Sequence, residues 1–212
     1  MTKFVTTLCC AFAILGGAAV YAAPSEGKDF KRIEPAIATN DPGAIVVTEF
    51  FSYQCPHCYV FAKPFKQWVA TLPADVKVER VAVSIGHSSW IPAAQSFYAL
   101  TAIKELNTVD QALFDAIHQQ RLAMNSQNQI SQWLGEQGVD TNKFDKAYEA
   151  FGVKTQLKQA EKSASQHKIP SIPSIAINGK YLVSISDDGD FSDQLAVIEE
   201  LVAMERALQT RQ

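Results

Sequence analysis

The stretch Ala44-Ile45-Val46-Val47-Thr48-Glu49-Phe50-Phe51-Ser52-Tyr53-Gln54-Cys55-Pro56-His57-Cys58-Tyr59 decides how this chain folds. Its first eight residues are apolar but for Thr48 and Glu49, and rich in β-branched and aromatic side chains. That is the composition of a strand buried on both faces. After Tyr59 the apolar residues Val60, Phe61, Phe65, Trp68 and Val69 recur at helical spacing. Between strand and helix lies Cys55-Pro56-His57-Cys58. Proline is favoured as the first helical residue, where its missing N–H costs nothing, so Cys55 is expected to cap the helix. A capping side chain faces the backbone N–H groups two and three residues on, here those of His57 and Cys58. Those donors and the positive end of the helix favour an anion at the Cys55 sulfur. A protonated His57 adds a cation within the same turn. Cys55 is therefore the expected nucleophile, and Cys58, one turn inside the helix and more buried, the resolving thiol.

A strand that empties into Cys-x-x-Cys at a helix start is the sequence form of a thioredoxin-like redox site. Half of a zinc site would need two further ligands, and His87, His118 and His167 show no paired spacing. Haem attachment needs a histidine directly after the second cysteine, where Tyr59 stands. A structural disulfide over so short a loop would restrain little chain entropy. Redox chemistry is the reading that remains, with no metal and no cofactor. A thiolate stabilised in the reduced protein makes the disulfide a better oxidant, by about 1.4 kcal/mol per pKa unit, or roughly 30 mV for a two-electron couple.

Working outward to the N-terminus, Lys3 precedes an apolar run from Phe4 to Val20, and Val20-Tyr21-Ala22 fits cleavage after Ala22. Residues 1–22 are expected to be a cleaved export signal, since the apolar run is short for a membrane span of about 20 residues. Cleavage would leave about 190 of the 212 residues and move the formal charge from −3 to −4 through loss of Lys3. That balance offers no footprint for nucleic acid. Cys9 and Cys10 leave with the signal, so the four cysteines become two. An exported protein with one closely spaced pair has no disulfide framework; the pair is there for chemistry.

Residues 24–42 are polar and turn-rich, with Phe30–Ile33 a short edge strand. Val76–Val83 reads as the next strand. From 88 to 167 the period turns helical: Ser89 is expected to cap a helix carrying Pro92 in its first turn, followed by helices over Val109–Leu122, Ile130–Gln137, Asn142–Phe151 and Val153–His167. Asn178-Gly179 predicts a two-residue hairpin between Ile175-Ala176-Ile177 and Tyr181-Leu182-Val183, and Leu195, Ile198, Leu201 and Val202 mark a terminal amphipathic helix. Pro64 is expected to kink the helix after Cys55, and Leu72-Pro73 to close it. The order β-β-α-β, helical block, β-β-α predicts an α/β, thioredoxin-like fold with an all-helical insertion after the third core strand. The expected division is core over 23–87 and 168–212, insertion over 88–167, and the redox site between them.

Pro173 falls directly before the strand that follows the helical block. A cis Ile172–Pro173 bond would turn the chain beside the cysteine pair and leave the N–H and C=O of Ile172 for an extended substrate strand. Pro170 is accounted for as a strand-start residue.

Together, Glu49 to Tyr59 and Ile172-Pro173 followed five residues later by Asn178-Gly179-Lys180-Tyr181 resemble the DsbA family of bacterial periplasmic thiol:disulfide oxidoreductases. The likeness extends over essentially the whole mature chain. It implies a periplasmic enzyme that donates a disulfide to reduced, newly exported polypeptides and is reoxidised by a DsbB-type, quinone-linked membrane partner. The family's nucleophile falls on Cys55, its resolving cysteine on Cys58, its thiolate-stabilising histidine on His57 and its cis-proline on Pro173. Its buried acid falls on Glu49 and the basic neighbour on Arg80, where lysine is more usual; a second acid common early in the helix is Ala62 here. The runner-up is a disulfide isomerase or reductase on the same scaffold. Such isomerases usually carry a dimerisation domain ahead of the fold, and the roughly twenty mature residues before the first central strand are too few for one; a monomer is expected. A non-catalytic peptide-binding chaperone is the third reading.

Overall fold

In the computed structural model, residues 23–185 and 191–211 are described; the expected signal over residues 1–22 lies outside them. Strand β2 (Ile45–Phe51) is buried at all seven positions, because neighbouring strands flank it and helices cover both its faces. Parallel to it runs β3 (Val76–Ala82), in register from Ile45↔Val76 to Phe51↔Ala82, with Glu49 opposite Arg80. On its other side lie β4 (Ser174–Ile177), β5 (Tyr181–Ser184) and the two-residue edge strand β1 (Lys31–Arg32), all antiparallel to their neighbours. The sheet order is β1-β5-β4-β2-β3. That is the thioredoxin-like arrangement expected from the element order.

Helix α1 (Pro56–Val69) and the terminal helix α7 (Ser192–Gln209) pack on one face, where Ile45, Val47, Phe61, Phe65, Ile175, Ile198 and Leu201 form an apolar cluster. Five helices intervene between β3 and β4: α2 (Ile91–Ala102), α3 (Leu106–His118), α4 (Gln127–Glu136), α5 (Thr141–Glu149) and α6 (Phe151–Gln166). Their core, built on Leu100, Leu113, Phe114, Leu134 and Phe144, is continuous with Phe50, Phe51 and both cysteines. Burial of this kind contributes about 1.5–3 kcal/mol per large side chain. The five helices and the Cys55–Cys58 turn therefore share one core. Among the described residues no helix is long and apolar enough to cross a membrane.

Four local expectations need correction. Ser89 does not cap a helix: it sits in a 3-10 turn (Ser88–Trp90), closed by the Trp90 N–H on the His87 carbonyl at 2.9 Å, and α2 starts after it without a side-chain cap. Helix α3 begins at Leu106 and ends at His118, because Arg121 turns into the left-handed region (φ 56°) and Leu122 bonds back to the Ala116 carbonyl. Helix α1, which carries Pro64 in its interior, stops at Val69, three residues short of Leu72-Pro73, because the Thr71 and Leu72 N–H groups turn to the Trp68 and Val69 carbonyls.

The hairpin loop holds three residues, since Ile177 pairs with Tyr181. Asn178 and Gly179 do adopt the two positive φ angles, 48° and 60°, of an Asn-Gly turn. Lys180 is left out of the ladder because its carbonyl accepts from the Ile33 N–H, as that of Gly179 does from Ile37. A Cβ on Gly179 would stand 2.9 Å from the Ile37 carbonyl carbon and closer still to its oxygen. Gly179→Ala is therefore expected to cost about 3 kcal/mol, the left-handed penalty plus displacement of the segment around Ile37. Denaturant unfolding checks this, and a loss below about 1 kcal/mol would mean that the contact yields freely.

Candidate active site

Cys55 caps α1 as the proline predicts: its backbone is extended (φ −86°, ψ 119°), Pro56 opens the helix, and the Cys55 sulfur accepts from the Cys58 N–H at 3.4 Å. Both cysteines are free thiols, and both are buried. Pro56 and His57 stand exposed at the surface. The Ile172–Pro173 bond is cis, and the Ile172 carbonyl accepts from the Cys55 thiol at 3.5 Å. The chain thus brings Cys55, Cys58, Ile172 and Pro173 together across 117 residues of sequence.

The two sulfurs are driven apart in acidity. The Cys55 thiol is lowered from 9.0 to about 6, chiefly by the Cys58 thiol donating to it. Burial opposes this, while the backbone N–H groups of Cys58 and His57 add to it and the His57 charge contributes least of these causes. The Cys58 thiol, more than the histidine, favours an anion at Cys55. Cys58 is pushed well above its ordinary value, first by burial and then by its bond and proximity to the Cys55 anion. One proton shared between two sulfurs settles on Cys58.

Beneath the pair, Glu49 is only 1% exposed. The Arg80 Nε donates to Glu49 Oε2 at 2.7 Å, and Arg80 Nη1 donates to Asp110 Oδ2 at 2.8 Å. The Tyr53 hydroxyl donates to the other oxygen of Asp110. Burial pushes the Glu49 carboxyl up, Arg80 counters this, and Asp110 adds to the rise. Burial would lower Arg80, but Glu49 and Asp110 more than offset it and hold the guanidinium charged. The guanidinium also lies over the Phe51 ring, 4.2 Å from its centre.

The turn before Cys55 is held by the insertion. His118 donates from Nε2 to the Tyr53 carbonyl at 2.7 Å and stacks on Tyr59, while Gln54 donates to the Met124 carbonyl at 3.2 Å. Asp110, Tyr53, His118 and Gln54 lie outside the sequence reading, because their partners are 30 to 70 residues away. Among the described residues no three His, Cys, Asp or Glu side chains gather as metal ligands would.

A family model described as a DSBA-like thioredoxin domain matches residues 46–196. The thiol:disulfide interchange protein DsbA of Pseudomonas aeruginosa is 32% identical over 208 residues, 98% of each chain. The protein of that name from Azotobacter vinelandii is 33% identical over 183 residues, 86% of this chain and 85% of its own. The crystal structure of Pseudomonas aeruginosa DsbA superposes with a TM-score of 0.81 at 31% identity, covering 90% of this chain and 97% of that one. Oxidoreductase DsbA from Xylella fastidiosa gives 0.81 at 27% identity, with 88% and 100% covered.

Proposed function

Since the chain belongs to the DsbA-like thioredoxin family of thiol:disulfide oxidoreductases, we propose that it acts as a disulfide donor to reduced exported polypeptides, with Cys55 as the attacked sulfur. A substrate thiolate attacks Cys55, breaking the Cys55–Cys58 bond and forming a mixed disulfide; Cys58 leaves and takes a proton. A second substrate thiolate then attacks the substrate sulfur, expelling Cys55 as a thiolate. Two substrate thiols become one disulfide, the protein pair is reduced, one proton stays on Cys58 and one passes to water. Glu49, with Arg80 beside it, handles the Cys58 proton. The free edge at Ile172, presented by Pro173, takes the backbone of the substrate, while Pro56 fixes the cap and His57 meets the incoming chain at the surface. Residues 1–22 serve as the export signal, 23–87 and 168–212 as the catalytic core, and 88–167 as the insertion. The reaction belongs in the periplasm, and a DsbB-type, quinone-linked membrane partner restores the disulfide.

The observation that carries the donor direction is the environment of the Cys55 sulfur. A leaving thiol of low pKa departs readily, and its stabilisation in the reduced form raises the potential by roughly 30 mV for each unit. The sign with pH follows: the stabilisation is complete above the ordinary value near 9 and is lost as pH falls through about 6. The test is equilibrium with a glutathione buffer, run beside a pH titration of Cys55 alkylation. The expected results are a potential well above the thioredoxin value of about −270 mV and an alkylation midpoint near 6. A thioredoxin-like potential would overturn the donor reading.

A further inference from the structure

Arg80 is one cation between two carboxyl groups, bonded to Glu49 through Nε and to Asp110 through Nη1. Were both acids ionised, one negative charge would lie uncompensated in a buried place. The cheaper arrangement puts a proton on the acid that water reaches least. That acid is Glu49, whose side chain is 1% exposed against 21% for Asp110. Asp110 is further anchored as an acceptor by the Tyr53 hydroxyl. A cavity of about 230 Å³, lined by Glu49, Ala62, Lys66, Arg80, Asn107 and Asp110, connects the two acids. The small side chain of Ala62 helps leave that space open.

We propose that Asp110 is a positioning residue for disulfide exchange: it draws Arg80 to the insertion side, so that the proton of the cluster resides on Glu49, the more buried of the two acids. Without Asp110, Arg80 would serve Glu49 alone and fix it as a carboxylate with no proton to exchange. The groups facing Glu49 are Arg80 from β3, Asp110 from α3, Tyr53 from the turn, and Cys58 and Lys66 from α1. Its neighbour on β4, Ile175, brings no charge. The inference rests on the disulfide-exchange reading above and adds that the insertion sets the protonation of the core acid.

The test is carboxyl-carbon NMR titration of Glu49 in the reduced protein, with no substrate present, together with the pH profile of reduction by dithiothreitol. In Asp110→Asn the Glu49 midpoint is expected to fall by about one pH unit, tenfold in its proton equilibrium, and the matching limb of the rate profile to move with it. In a Glu49→Gln background, Asp110→Asn is expected to leave the rate profile where it was. A lower melting temperature with the midpoint and profile unmoved would show Asp110 to be merely structural, and an equal shift in both backgrounds would also overturn the proposal. Should Asp110→Asn fail to fold, a wild-type Glu49 midpoint at or below that of an ordinary carboxyl group decides against it. Failure of the donor reading registers separately, as a low potential or absent transfer in the wild-type protein.

Discussion

Cys55→Ser is expected to remove disulfide transfer altogether, a loss of roughly a thousandfold or more in the rate at which a reduced, unfolded test protein acquires its disulfides. No other cysteine among the described residues can take over the attack, since Cys58 is the only one left. Its thiol is wholly buried and poorly ionised. The companion variants separate the two roles of Cys58. Offered a disulfide-bonded peptide or oxidised glutathione, Cys58→Ala and Cys58→Ser should both accumulate mixed disulfides at Cys55 visible on non-reducing gels, because the neighbouring thiol that would release them is gone and only a second external thiol can do so. They should differ in the acidity of Cys55. Alanine removes the donor that holds that thiol near 6, so its alkylation midpoint rises, whereas the serine hydroxyl still donates and keeps much of the effect. Equal midpoints in the two variants would show that the helix end, and not the neighbouring thiol, is the stabiliser.

Arg80→Ala is the second large effect, on stability. It leaves Glu49 buried without the cation bonded to it and removes a bond from Asp110. Breaking one side of a buried pair typically costs about 3–5 kcal/mol, on the order of 10 °C in melting temperature for a chain of this size. Arg80→Lys should recover part of the loss, since an ammonium can meet one acid while the flat guanidinium fork meets both. With alanine, the loss should grow as pH rises through the raised Glu49 value, because ionisation of an unpaired buried acid is the penalty. A melting temperature within 2 °C of the parent would mean that water already serves the pair.

The parts of this site readable in the sequence are those made within one turn or by one backbone constraint. Cys55 as cap follows from Pro56, and Glu49 was conspicuous as a charge in an apolar strand. Pro173 stood out through its place before β4. What could not be read is pairing over distance. Nothing near Tyr53 announces Asp110, and a histidine at position 118 has no local partner that would point to the Tyr53 carbonyl. Arg80 was reached through family resemblance, although its bond to Asp110 was not. The hairpin shows the same limit: Asn178-Gly179 dictated the turn angles, but the third loop residue exists because Ile33 claims the Lys180 carbonyl, a partner almost 150 positions upstream.

The Glu49–Arg80 pair has a consequence for how the chain assembles. The two residues are direct partners in the parallel β2–β3 ladder. Slipping β3 by one position would turn Arg80 toward the opposite side of the sheet and leave Glu49 facing hydrocarbon. The apolar residues of β2 alone would tolerate misalignment, because one of its buried hydrophobic side chains substitutes for another at little cost. A buried acid does not. The Glu49–Arg80 pair thus fixes the alignment of β2 and β3, since each wrong pairing would leave a buried acid without its cation.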